Sequence, residues 1–132
     1  MILHTIRNGS EEVVREKNMN VKDRIMILAE AEYLYQKARQ KVDGEDYDGA
    51  LVLLDKAVSL APGFSVAHCE KGNCYCFLNR ENDALASYEQ AIQVDPYHAE
   101  AWFHKGQILK GRGNADEGDL CIDRATRLCC GR

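Results

Sequence analysis

Six cysteines and four histidines in a chain of 132 residues are the first place to look for chemistry. Cys69, Cys74, Cys76, His68, His98 and His104 are side chains of the kinds that hold zinc. None of them stands in a CxxC or HExxH pattern. On a helix, Cys74 and Cys76 would point roughly 200 degrees apart, which opposes shared coordination, so no metal and no cofactor are expected. Cys129 and Cys130 stand beside Arg132, a cation that could activate a thiol, but adventitious thiols at a frayed end are the favoured reading. All six cysteines fall within or at the end of segments that read as helix, where a reduced thiol packs as a small apolar group. Asp43, Glu45, Asp46 and Asp48 form an acidic turn without the spacing of a calcium loop. Nothing pairs a nucleophile with a base, or places a glycine-rich loop for phosphate. An enzyme is not expected.

The composition suits one ordered, helical domain: 45% hydrophobic, 29% charged, with two prolines. A net charge of -4 and scattered basic residues argue against nucleic acid as a partner. No apolar run approaches the roughly 20 residues that span a bilayer, and Met1 to Ser10 lacks the apolar core of a secretory signal. A cytoplasmic protein with no membrane contact is the expectation.

The elements that would position any site emerge from an internal ladder. Pro62 recurs as Pro96; Ala38 as Gly72 and Gly106; Ala50 as Ala84 and Gly118; Leu54 as Tyr88 and Ile122; Ala57 as Ala91 and Ala125. Each step is 34 residues. Within a unit the apolar and small residues are four and three apart, the spacing of a helix face, and turn-forming residues divide each unit into two helices. The breaks are Asp43-Gly44, Leu78-Asn79-Arg80 and Gly111-Arg112-Gly113-Asn114. Small residues at facing positions let the backbones approach, and Leu54, Tyr88 and Ile122 are expected to fill the space between neighbouring units. The fold class that follows is all-α, a solenoid of three stacked helix-turn-helix units.

From Ala31 to Arg132 this pattern resembles the tetratricopeptide repeat, W-x2-L-G-x2-Y then A-x3-F then P. The second unit carries it as His68, Lys71, Gly72, Tyr75, Ala84, Tyr88, Ala91 and Pro96. The third carries it as Trp102, Lys105, Gly106, Leu109, Gly118, Ile122 and Ala125. In the first unit Leu34, Lys37, Ala38 and Lys41 hold these places, so its first helix is identified mainly by phase. The third unit has Cys130 in place of the closing proline. The expected divisions are an N-terminal, partly helical extension over 1–30 and repeats over 31–64, 65–98 and 99–132.

The resemblance implies a protein-interaction module in which the first helices of successive units line a groove for a peptide or partner helix. Carried over by position, the groove includes Tyr35, Arg39, Cys69, Glu70, Asn73, Cys76, Phe77, Phe103, His104, Gln107 and Lys110, flanked by Glu32, Asp43 and Glu100. Phe77 and Phe103 read equally well as groove contacts or as packing residues. The set has four acids against two bases, a net of -2 with His104 neutral, which favours an amphipathic or mildly basic ligand. A well-known subtype grips the C-terminal carboxylate of chaperones with lysine, asparagine and arginine. Here Tyr35, Arg39, Glu70, Glu100 and His104 stand at the corresponding positions, so such a tail is expected to be repelled. The alternative is a self-associating structural unit or small chaperone that forms a homodimer through its N-terminal helix, where Val21, Ile25 and Leu28 make one face apolar.

Overall fold

Helix signals in the chain begin with caps. Asn20 accepts a 2.8 Å hydrogen bond from the backbone N–H of Asp23, and Asp46 accepts one of 3.0 Å from Gly49. Each satisfies a donor that a helix start would otherwise leave unpaired. A computed structural model describes residues 19–131 and contains six α-helices among them. They are α1 (Val21–Asp43), α2 (Tyr47–Leu60), α3 (Ser65–Phe77), α4 (Glu81–Val94), α5 (Ala99–Gly111) and α6 (Ala115–Cys129). The chain is all-α, a helical-repeat solenoid of antiparallel hairpins, α1–α2, α3–α4 and α5–α6. Each helix packs on the one before and the one after it, with more shared surface inside a hairpin than between hairpins. Among the described residues, no helix is long and apolar enough to cross a membrane. Of the expected N-terminal extension, residues 1–18 lie outside the described residues. From Val21 onward the extension is helix that continues into α1 without a break at residue 30.

The turn inside each hairpin is set one residue later than the glycine of the first unit suggests. Gly44 has an ordinary φ of -90°. The left-handed residue is Glu45, at φ 60°, matched by Asn79 at 59° and Gly113 at 90°. These three are 34 apart, so one backbone shape recurs with three different residues. Glycine and asparagine adopt it readily, whereas glutamate does so under strain.

The core follows the ladder. Ala38, Ala50, Leu54, Ala57, Ala84, Tyr88 and Ala91 are all buried. Leu54 and Tyr88 fill space against the next hairpin, Leu54 clustering with Ala67 and Cys74 and Tyr88 with Ala101 and Ile108, and the large residues also pack within their own hairpins. A Cβ placed on Gly72 would fall against the ring of Tyr88, and one on Gly106 against Ile122 Cγ1 and the Gly118 carbonyl. Small residues on the first helix are therefore seats for the large residue opposite.

Two further features repeat at the same interval and join consecutive hairpins. Lys71 Nζ reaches Asp55 at 2.8 Å and Lys105 Nζ reaches Glu89 at 3.4 Å, each lysine only 19% exposed. Both lysines occupy the leucine place of the pattern and turn it into a cross-hairpin ion pair. At the aromatic place, Trp102 Nε1 donates to the carbonyl of Pro96 at 2.8 Å, and His68 Nε2 bonds the carbonyl of Pro62 at 3.1 Å. A carbonyl can only accept, so His68 is protonated at Nε2. Burial holds its pKa below the ordinary histidine value, against the bond to Pro62, which raises it.

Candidate functional site

The first helices of the three hairpins, α1, α3 and α5, present the positions expected to form a groove. Ser65 to Phe77 reads SVAHCEKGNCYCF, with Cys69, Asn73 and Cys76 four and three apart on one side. Cys76 Sγ lies 3.6 Å from Tyr88 Oη, Tyr88 donates to Asn73 Oδ1 at 2.6 Å, and Asn73 Nδ2 donates to Glu70 Oε1 at 3.4 Å. Since the single hydroxyl hydrogen of Tyr88 goes to Asn73, the Cys76 thiol is the donor at the other end. A directed chain of hydrogen bonds thus runs from Cys76 through α4 to Glu70.

Glu70 is the focus of this surface. It is 8% exposed, and Asn73 gives it a long bond. Burial lifts its carboxyl above the ordinary glutamate value; the Arg39 cation and the Asn73 amide oppose the rise, and Glu100 and Asp43 add to it. Arg39 Nη1 in turn donates to Tyr35 Oη at 3.4 Å. The Cys69 thiol donates to Glu100 Oε1 at 3.2 Å, and burial, followed by the charge of Glu100, raises its pKa well above the ordinary thiol value. His104 stacks on Tyr88 with ring centroids 5.3 Å apart, contacts Phe103 at 5.5 Å and pairs with Gln107 at 3.3 Å. Residues of α1, α3, α4 and α5 are thus linked into one polar and aromatic surface.

The expected positions divide into three kinds. Arg39, Cys76, Phe77, Phe103 and Gln107 are exposed, and Asn73 and His104 are half-buried. Phe77 is 61% exposed but lies flat on Tyr47 of α2 at 4.7 Å, so it forms the outer face of an aromatic stack. Cys69, Glu70 and Tyr35 are buried; Tyr35 packs against Phe64 at 5.3 Å and belongs to the core of the first hairpin. Lys110 turns toward α6, where Nζ meets Asp119 at 2.8 Å. Tyr88 contacts the groove residues Asn73, Cys76 and His104 but is not among the expected positions. It lies outside the first-helix pattern used to assign them, reaching in from α4.

Comparison with known proteins agrees with this architecture. Tetratricopeptide repeat family models match residues 65–98 and 99–129. Anaphase-promoting complex subunit 3 of Schizosaccharomyces pombe is 25% identical over 83 residues, 63% of this chain and 12% of that protein. Human protein O-mannosyl-transferase TMTC1 is 33% identical over 88 residues, 64% of this chain and 10% of that protein. Small glutamine-rich tetratricopeptide repeat-containing protein 2 of Mycosarcoma maydis is 26% identical over 90 residues, 68% and 26% respectively. The chain therefore spans only a small part of these relatives.

Among solved structures, the second repeat domain of Spaghetti (RPAP3), bound to the HSP90 peptide SRMEEVD, superposes with a TM-score of 0.76 at 13% identity. The match covers 82% of this chain and 99% of that one. The Yersinia enterocolitica type III secretion translocator chaperone SycD, in an alternative dimer, gives 0.72 at 22% identity, covering 77% of each chain. The 34-residue ladder, the stacked hairpins and the matched repeats over 65–129 together make this chain a member of the tetratricopeptide repeat family.

Proposed function

We propose that this chain is a protein-interaction module whose α1, α3 and α5 face receives an amphipathic or mildly basic peptide or partner helix. The observation that carries this reading is Glu70. A carboxylate offers about four acceptor sites, and this one, 8% exposed, has a single long side-chain bond, at 3.4 Å, among the described residues. A lysine, arginine or backbone N–H from a ligand would satisfy it. The exposed rings of Phe103 and Phe77 would supply flat apolar surface, and Asn73 and Gln107 amides for a ligand backbone.

The same residues disfavour an acidic C-terminal tail like the one on the HSP90 peptide bound by the Spaghetti domain. At about 4 Å, two like charges repel by roughly 1 to 4 kcal/mol between bulk water and a protein surface. Fluorescence anisotropy tests the reading with two labelled peptides, one basic and amphipathic, the other ending in acids. Binding of the basic peptide, weakened by Glu70→Gln and by Phe103→Ala with the circular dichroism spectrum unchanged, supports it. Micromolar binding of the acidic peptide alone overturns it.

A second reading, self-association through α1, is favoured by an exposed apolar strip. Val21, Ile25, Met26 and Leu28 are all exposed. Beside them a cleft of about 650 Å³ lies between α1 and the turn that joins α2 to α3. The SycD relative is described as a dimer. Sedimentation velocity on the full chain and on the Ile25→Asp, Leu28→Asp variant separates the readings. A dimer that the variant loses supports self-association; a monomer at high concentration removes it.

A further inference from the structure

Among the described residues, only at the junction of the second and third hairpins do three side chains of metal-ligating type converge. The donor atoms of Cys69, His98 and Glu100 all lie within 4.8 Å of one another. Cys69 belongs to α3, Glu100 to the first turn of α5, and His98 immediately precedes α5. Thirty-one residues separate the cysteine from the glutamate, so no local motif announces the cluster. We propose that Cys69, His98 and Glu100 form a site for a divalent transition metal, zinc by preference, in the wall of the repeat stack.

The repeat itself argues that this is not a scaffold feature. One period earlier, the same three positions are Tyr35, Phe64 and Val66. There the Tyr35 and Phe64 rings tilt together at 5.3 Å, and Val66 stands exposed beside them in sequence, so none of the three is a metal-ligating side chain. Packing alone asks for nothing more at this place. At the next junction all three positions change at once to sulfur, imidazole and carboxylate.

Geometry and charge fit the ion. Zinc takes thiolate at about 2.3 Å and nitrogen or oxygen at about 2.0 to 2.2 Å, usually as a tetrahedron, which sets ligand atoms roughly 3.3 to 3.8 Å apart. The sulfur and the Glu100 oxygen are already 3.2 Å apart. Both remaining edges run to His98 and are within 4.8 Å; they close by a turn of the His98 ring together with a rotation of Glu100, which is exposed. The charges felt at Cys69 are those of Glu100 and Glu70, both negative. A cation would offset that field. Metal binding replaces one proton: the Cys69 thiol gives it up to solvent, and sulfur, nitrogen and oxygen each donate a pair to the ion.

An outer hydrogen bond holds one of the ligands, and a second ring stands near another. Ser65 Oγ is 3.0 Å from His98 Nδ1, and His104 Nε2 is 4.0 Å from the second oxygen of Glu100. Such neighbours orient a metal's ligands. Three protein ligands leave a fourth position open to water or to a group brought by a partner.

The test uses Co2+ as a spectroscopic probe on a full-length chain carrying Cys76→Ser, Cys129→Ser and Cys130→Ser, which removes the exposed thiols. The expected result is one Co2+ per chain, a thiolate-to-cobalt charge-transfer band, and displacement by Zn2+. Cys69→Ser abolishes the band, while His98→Ala and Glu100→Gln each weaken binding about tenfold or more, the lower end of what even an outer-contact loss produces. Glu100 is exposed, so its variant keeps the fold if Cys69→Ser does not. Absence of the band in the parent chain, or unchanged affinity in both His98→Ala and Glu100→Gln, overturns the site. No peptide enters this experiment, so its outcome is independent of the groove.

Discussion

Replacing Gly72 with alanine should destabilise the protein, although alanine is the better helix former by about 1 kcal/mol. A Cβ at Gly72 would sit 2.6 Å from Tyr88 Cε1 and 2.8 Å from Cδ1 and Cζ, about 1 Å inside the roughly 3.5 to 4.0 Å of carbon contact. The ring has little room to yield. It is 1% exposed, its hydroxyl is bound to Asn73 at 2.6 Å, and its face is stacked on His104. Overpacking of this kind costs about 1 to 3 kcal/mol, and release of the Asn73 bond about 0.5 to 1.5 more. After the helix gain, a net loss of about 0.5 to 3.5 kcal/mol is expected. Urea unfolding would read it as a midpoint lowered by about 1 M with an unchanged slope.

The first hairpin supplies the rescue, because it pairs Ala38 with Leu54 at the positions of Gly72 and Tyr88. Gly72→Ala combined with Tyr88→Leu should be more stable than the two single changes add up to, by about 1 to 2 kcal/mol of coupling. A raised midpoint for Gly72→Ala alone, or coupling near zero, would refute the reasoning.

Glu45→Gly should stabilise by about 0.5 to 1 kcal/mol, since Glu45 holds φ 60° where the third hairpin has Gly113; a lower melting temperature would contradict this. Trp102→Phe keeps the ring but removes the donor to Pro96, with an expected loss of about 0.5 to 1.5 kcal/mol in chemical denaturation. Asp55→Asn breaks the pair with Lys71, whose acid is 58% exposed, so the loss should stay below about 1 kcal/mol and shrink in high salt. A salt-independent loss would mean that Asp55 acts through packing.

What was legible in the sequence depended on the kind of residue involved. Alanine and glycine have no long side chain to redirect, so Ala38, Ala50, Ala57, Ala84 and Ala91 report their burial directly through phase. Longer side chains escape this. Lys110 has a groove position on α5, yet its stem carries the ammonium to Asp119 on α6. The pairs Lys71–Asp55 and Lys105–Glu89 lie 16 residues apart in sequence and follow the 34-residue period. That regularity was visible, but sequence alone does not say that each lysine reaches back to the preceding hairpin. Glu45 was hidden behind Gly44, because a glycine draws the turn toward itself while the backbone requires φ above zero one residue later.

The same distinction governs how the groove can be probed. Residues that would meet a ligand also hold the stack together: Tyr35 packs on Phe64, Tyr88 ties Asn73 to His104, and Cys69 reaches Glu100 in the next hairpin. Joint truncation of Tyr35 and Phe103 would therefore lose core along with surface, and weaker binding would report unfolding as readily as a lost contact. Phe103, 40% exposed, and Gln107, exposed and bonded only to His104 at 3.3 Å among the described residues, are free of that difficulty. Phe103→Ala and Gln107→Ala should leave the unfolding midpoint within about 0.5 kcal/mol of the parent, as surface changes usually do, while lowering peptide affinity. If both variants bind as the parent does and Asn73→Ala also leaves binding intact, the ligand lies on another face.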